Sequence, residues 1–299
     1  MNIYSQIDSN KRKSILLLSL FIVLIAAIGY WASWYFEAGP GILVVALIAA
    51  VGMALMSYYQ GDRIALAVAQ AKPIAKEDNP YVYRLIENLC ITVGIPVPKI
   101  YVIQDSALNA FATGRDPEHA SIALTTGIIE ALENEELEGV IAHELSHVKN
   151  FDIRLATVVI VCVGLIALVS DFTTRSMFFG GRRRSDARGG NSGAVLLIIG
   201  LVLAILAPLA AQLIQLAISR KREFLADASG ALATRYPEGL ARALEKIGAS
   251  EQPLRSANRA TAHLYIASPF KADGFAHKAA TLFSTHPPLA ERIKRLRQT

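Results

Sequence analysis

Residues 143–147 read His-Glu-Leu-Ser-His. Two histidines four apart on a helix project from one face and can offer imidazole nitrogens to a single cation. If that cation is zinc in a catalytic setting, three protein ligands leave one position open for a water, whose pKa falls from about 15.7 to near 7. Glu144, beside the first histidine, can take a proton from that water and hand it to a leaving amine. The chemistry expected of such a group is metal-assisted hydrolysis. A chain of this length spells H-E-x-x-H by accident roughly once in a hundred times, so the decision rests on a third ligand.

The candidate lies in "SRKREFLADAS", where Glu223 and Asp227 are one helical turn apart. In one reading Glu223 completes the ligand set with His143 and His147, for one zinc ion per chain. Asp227 then accepts the outer N–H of His143, which fixes the tautomer and raises the ligand's basicity. In the other reading the two acids only balance Arg220, Lys221 and Arg222 on a helix beside a membrane. Position favours the first reading. H-E-x-x-H ends shortly before one long apolar run and Glu223 begins shortly after the next, and a helical hairpin returns a chain to the side it left.

Those runs belong to a chain that is 53% hydrophobic with a mean hydropathy of +0.37, more apolar than an ordinary soluble domain. Residues 14–36 and 41–59 carry no charge until Glu37 and Asp62 lie outside them, and each is about the 20 residues needed to cross a bilayer. Lys11, Arg12 and Lys13 precede the first run while the turn after it has no basic residue, so the N-terminus, 1–13, is expected in the cytoplasm. Two further runs, about 155–170 and 194–218, form a second apolar hairpin over 155–218. The arginines of its loop, Arg182, Arg183 and Arg184 among them, oppose a fully spanning placement; spanning and partly embedded arrangements both stay open, with spanning preferred. Two cysteines, Cys90 and Cys162, fit a reducing compartment. The net charge of +5 gathers beside apolar segments, which suits anionic lipid and not nucleic acid.

Residues 60–154 read as soluble and mixed α/β. The pattern predicts a helix over 80–91, strands over 99–104, 109–113 and 120–126, and a helix over 135–150 with Asn134 as its N-cap. Residues 219–299 are soluble again, with helices over 219–234 and 237–248, an irregular stretch to 285, and a basic helix after Pro287-Pro288. His119, His263 and His277 have no ligand-like spacing, and nothing distinguishes Tyr265 from the other tyrosines.

Taken together, "NAFATG", "HELSHVKNFD", "REFLAD" and "STHPPLAERIKRL", with the two leading spans and the apolar hairpin, resemble the HtpX family of membrane zinc metallopeptidases, relatives of the CAAX prenyl endoproteases among the gluzincins. The resemblance runs the length of the chain. It implies an integral membrane α-helical protein with a small α+β zincin-type catalytic domain, and an apolar hairpin inserted between the helices that bear the zinc ligands. It implies zinc ligation by His143, His147 and Glu223, with Glu144 catalytic. Asn109, Ala110, Phe111 and Ala112 become the edge strand on which an extended peptide lies, and His286 an oxyanion or substrate-side group with Arg292 beside it.

The function expected is zinc-dependent endopeptidase action at the cytoplasmic side of a prokaryotic plasma membrane, on unfolded or misassembled membrane proteins. Two alternatives stand beside it: specific processing of a lipidated or secreted peptide, and a membrane scaffold that binds zinc without hydrolysis.

Overall fold

In the computed structural model, residues 3–35, 37, 39–164, 220–250, 252–254, 261, 264–267 and 287–298 are described. The arginine-bearing loop between the two runs of the second apolar hairpin, most of that hairpin, His263, His277 and His286 lie outside them. The first apolar run is part of helix α1 (Ile3–Tyr35), and the second of α2 (Gly41–Val68). α1 begins well before residue 14 because no Pro or Gly interrupts its polar start, so the helix propagates through Lys11 to Lys13 into the apolar stretch. Both helices are long and apolar enough to cross a membrane. Leu16, Val23, Val45 and Ile48 on their outer faces are exposed, and a continuous apolar surface of this kind needs lipid or protein against it.

The opposite face of α1 carries Asn10, Ser14, Leu17 and Phe21, all buried, at the three- and four-residue spacing of one helical stripe. Leu17 and Phe21 pack on Leu155, Val158, Val159 and Cys162, which belong to a helix over 152–164. Calling it α6 in chain order, the third apolar run therefore begins as a helix lying along α1. Cys90 and Cys162 are both buried free thiols.

Four strands form one sheet: β1 (Lys72–Pro73), β2 (Lys99–Ile103), β3 (Ala110–Gly114) and β4 (Ala120–Thr125), in the order β1-β2-β4-β3. β2 runs parallel to β4, and β3 antiparallel to it. This leaves β3 at the end of the sheet, with Ala112 opposite Ile122. Three strands were expected within a residue or so of these bounds; β1 was not, since two residues are too few to show a period.

Helices α3 (Pro80–Val93), α4 (Thr126–Ala131) and α5 (Asn134–Lys149) come before α6, and α7 (Arg220–Thr234), α8 (Pro237–Ala249) and α9 (Leu289–Leu296) follow the second hairpin. The Asn79 side chain accepts the Val82 N–H at 3.1 Å to start α3, and Gly94, at φ 76°, ends it. Asn134 does not cap α5. The cap is Glu133, whose N–H donates to the Glu136 carboxylate at 2.9 Å, while the Asn134 side-chain oxygen accepts from the Tyr81 hydroxyl. Glu three residues into the helix can fold back onto the cap N–H, which a shorter Asn inside the first turn cannot do.

One core joins both halves of the chain. Leu137, Val140, Ile141 and Leu145 of α5 pack with Leu240, Ala243 and Leu244 of α8 and Leu296 of α9. Two glycines set how closely the helices approach. A Cβ on Gly139 would come within 3.0 Å of Leu240 atoms, and one on Gly230 of α7 would meet the His143 backbone N at 3.0 Å. Gly230→Val should therefore overpack the α5–α7 contact, costing about 1–3 kcal/mol and weakening metal uptake together with it. Thermal unfolding and metal content of the purified variant check this, and unchanged values for both would refute so close an approach.

Candidate metal centre

α5 brings His143, Glu144 and His147 into the interior, His143 and Glu144 almost wholly buried. A helix places residues four apart one above the other, and the two Nε2 atoms stand 3.2 Å apart. α7 crosses at Gly230 and carries Glu223 to the same point: Glu223 Oε1 is 3.6 Å from His147 Nε2, and Oε2 is 3.8 Å from His143 Nε2. These three donors are the cluster of His, Cys, Asp and Glu able to hold a metal among the described residues. A tetrahedral zinc with bonds of about 2.0–2.2 Å has ligands about 3.3–3.5 Å apart. The two Nε2 atoms at 3.2 Å, each with one oxygen of the Glu223 carboxylate at 3.6 or 3.8 Å, are spaced close to the edges of such a tetrahedron. Two imidazole nitrogens and one carboxylate are also the donor chemistry of a catalytic zinc site with an open position. Two ring nitrogens facing each other at hydrogen-bond distance need a cation or proton between them, so the residues present fit the metal.

Each histidine is held from behind. His143 Nδ1 lies 3.0 Å from Asp227 Oδ1, and His147 Nδ1 lies 3.0 Å from Asp152 Oδ2. With the Nδ1 proton given to a carboxylate, each Nε2 lone pair is turned toward the metal position. Asp227 arrives from α7, one turn beyond Glu223. Asp152 arrives by a different route: α5 ends at Lys149, Phe151 takes φ 59°, and this left-handed residue swings the chain so that Asp152 faces back onto His147. The spacing "HVKNFD" holds the only sequence signal for Asp152, an acid five residues past the second histidine.

Arg292 is fully buried on α9. Its Nε and Nη2 donate to the two oxygens of Asp227 at 2.8 and 2.6 Å, and its Nη1 donates to the Ile266 carbonyl at 3.0 Å. Its Nη1 is also 3.8 Å from Glu223. Arg292 was expected beside His286; His286 is outside the described residues, and Arg292 serves Asp227. A planar guanidinium fits a carboxylate with two parallel bonds, which a histidine cannot offer it.

Burial pushes the Glu144 carboxyl up to about 7, although His147 pulls it down. The Ala112 backbone N–H donates to the same carboxylate. Burial, then the Arg292 charge, hold His143 below the usual imidazole range despite Asp227. At His147 burial works in the same downward sense, but the Asp152 hydrogen bond and the Glu223 charge outweigh it and raise this ring.

β3 borders the site. Ala110, Ala112 and Gly114 turn their backbone groups outward, since Asn109 bonds Thr125 on the β4 side. Ala110 O accepts from Ile266 N at 3.0 Å, and Asn109 Nδ2 donates to Ala267 O at 3.2 Å. Residues 264–267 thus lie along this edge, and Tyr265, fully buried, meets Phe111 edge to face with ring centroids 5.2 Å apart. Leu264, Tyr265 and Ile266 join Ala112, Glu144 and the metal cluster around a cavity of about 40 Å³. His119 is apart from this group, in an exposed turn where Asp116 Oδ1 sits 2.7 Å from its Nδ1.

Residues 76–299 match peptidase family M48. A protease HtpX homolog of Thermoanaerobacter pseudethanolicus is 46% identical over 296 residues, covering 99% of this chain and 97% of that one. One from Tropheryma whipplei is 45% identical over 295 residues, covering 99% and 98%. Among solved structures, the Ste24p of S. mikatae aligns over 98% of this chain and 67% of its own, at 21% identity and a TM-score of 0.49. With an H-E-x-x-H helix, a converging glutamate and relatives matched end to end, the chain belongs to the HtpX proteases of the M48 metalloprotease family.

Proposed function

We propose that the chain is a zinc-dependent membrane endopeptidase that cuts unfolded segments of damaged or misassembled membrane proteins on the cytoplasmic side of a prokaryotic plasma membrane. The observation that carries this reading is the convergence of His143, His147 and Glu223 beside the buried Glu144. A zinc ion held by those three side chains supplies a Lewis acid that polarises the scissile carbonyl and acidifies a water. The rest is done by the chain. Glu144 takes the proton of the attacking water as the new C–O bond forms, and returns it to the amine nitrogen as the C–N bond breaks. Burial raises this carboxyl and a bound dication works in the opposite sense, a balance that suits one group taking and returning a proton. Asp227 and Asp152 keep the two rings in one tautomer. His286 is the proposed group on the oxyanion side.

An extended peptide pairs with the outer edge of Asn109, Ala110, Phe111 and Ala112. Main-chain pairing reads backbone rather than side chains, which suits unfolded segments of varied sequence. A cavity of about 40 Å³ has room for water and not for a peptide. The bond from Ile266 to Ala110 must therefore give way when substrate enters. Residues 60–154 and 219–299 make one zincin-type peptidase domain interrupted by the hairpin 155–218, a division supported by their shared core. The cytoplasmic side is supported by α1: Asn10 reaches Asp152 behind His147, next to Lys11, Arg12 and Lys13, and basic residues favour the cytoplasmic face. α6 continues from there along the apolar part of α1, in the direction of the membrane interior.

Removal of zinc by a chelator should abolish cleavage of a casein-like unfolded substrate in detergent, and stoichiometric zinc should restore it. Metal analysis should find one zinc per chain. Full activity after chelation, or activity confined to a single C-terminal peptide motif, would overturn the metal or the broad-substrate part of the reading respectively.

A further inference from the structure

The polar start of α1 reaches the metal centre. Asn10 is 2% exposed, and its Nδ2 donates to Asp152 Oδ1 at 2.6 Å and to the Asn150 carbonyl at 3.0 Å. Both neighbours are acceptors, so the amide must present its NH2 group to them. The other oxygen of Asp152 faces His147 Nδ1 at 3.0 Å. Each Asp152 oxygen thus has its own partner, one on the first membrane helix and one on a metal-cluster histidine, and the carboxylate cannot rotate without breaking one of them.

Asn10 also closes the end of α5. The last carbonyls of a helix have no partner within it, and the Asn150 carbonyl finds one on a residue 140 positions earlier in the chain. The turn that follows hangs on Phe151 in the left-handed region, at φ 59°, a conformation that costs a non-glycine residue about 1–2 kcal/mol. Lys11, the next residue of α1, places its Nζ 4.3 Å from the Phe151 ring centroid. On the far side Arg222 Nη1 is 3.7 Å from the same Asp152 oxygen. Asn10 shares its stripe with Leu17 and Phe21, against which an apolar side chain would pack as well. Its amide is accounted for by its donors.

We propose that Asn10 is a positioning residue of the metal centre, acting through Asp152 on His147, so that the centre reaches full metal affinity only when the first membrane helix has docked against α5 and α6. This rests on the zinc peptidase reading. A chain whose first helix is not yet in place then has a loosely held His147 and little activity, which couples proteolysis to completed membrane assembly.

The test uses the full chain in detergent, in a Glu144→Gln background that prevents self-cleavage. Zinc affinity is measured by competition with a chromophoric chelator, and ligand geometry by the visible absorption of the cobalt form. Asp152→Ala should weaken zinc by about 10–100-fold, and Asn10→Ala and Asn10→Leu each by about tenfold. Asn10→Leu keeps the volume and the helix, so a folded variant is available if the alanine variant fails. On an Asp152→Ala background, Asn10→Leu should change the affinity less than about twofold, because residues acting through one network are not additive. The cobalt bands should shift in both Asn10 variants, while the metal-free protein, having lost this donor to the Asn150 carbonyl and to Asp152, should melt only a few degrees below the parent. Parent-like zinc affinity in the Asn10 variants would overturn the proposal, as would effects that multiply with Asp152→Ala. A parent that takes up no zinc would overturn the peptidase reading itself.

Discussion

Glu144→Gln is expected to keep zinc and to lose peptide cleavage by about 10³-fold or more. Glutamine has the shape of glutamate, and its amide oxygen still accepts the Ala112 N–H that meets Glu144, so the cavity and the ligand triangle stay as they are. What disappears is the ability to hold a proton. A positioned acid–base group contributes about 10²–10⁴ to a rate, and here one residue serves both the attack and the departure of the amine. The position that makes Glu144 suitable also makes the substitution gentle, since a neutral side chain is easier to bury than a carboxylate. Zinc content and melting should therefore match wild type, or melting should rise slightly. The wild-type protein should also nick its own loosened chains during purification, while the variant stays intact. Casein cleavage by Glu144→Gln at the wild-type rate, with zinc bound, would remove Glu144 from the mechanism.

The elements that could be read from the sequence were those with a local signature. H-E-x-x-H fell in a stretch with helical periodicity, Glu223 and Asp227 stood one turn apart, and the first two apolar runs were long and uncharged. These are patterns of neighbours, and neighbours on a helix are fixed by its pitch. The parts that were not legible depend on how elements meet. That β2 pairs in parallel with β4 and leaves β3 at the edge is a relation between separate segments, which the local pattern of no single strand specifies. Asp152 needed the left-handed Phe151, a conformation no propensity favours for phenylalanine. Asn10 looked like one more polar residue before a span, and its two acceptors lie 140 and 142 positions away. Arg292 was named only through the family resemblance, as a neighbour of His286; within a basic terminal helix whose Lys294 and Arg295 are exposed, its pairing with Asp227 is set by packing.

That buried arginine carries the largest expected effect on stability. Burial alone would raise the Asp227 carboxyl, but the Arg292 charge and the His143 hydrogen bond hold it below the ordinary carboxylate range. Arg292→Met takes away both guanidinium bonds at 2.8 and 2.6 Å and leaves the carboxylate among apolar and imidazole groups. Removing one partner of a buried pair costs about 3–5 kcal/mol, and for a chain of this size that lowers the melting midpoint by roughly 10 °C. The Ile266 carbonyl loses its donor as well, so residues 264–267 should be held less firmly against β3. A second change separates folding from metal binding. In Asp227→Asn with Arg292→Met no charge is left buried, and neutral replacement of a buried pair typically recovers most of the stability. Asparagine can still accept from His143 Nδ1, but it no longer raises the basicity of the ring. The double variant should melt near wild type in the absence of zinc and bind zinc about tenfold more weakly. Were the single variant to melt like wild type, the guanidinium would not be buried on Asp227. Were the double variant to bind zinc like wild type, the carboxylate behind His143 would serve folding alone.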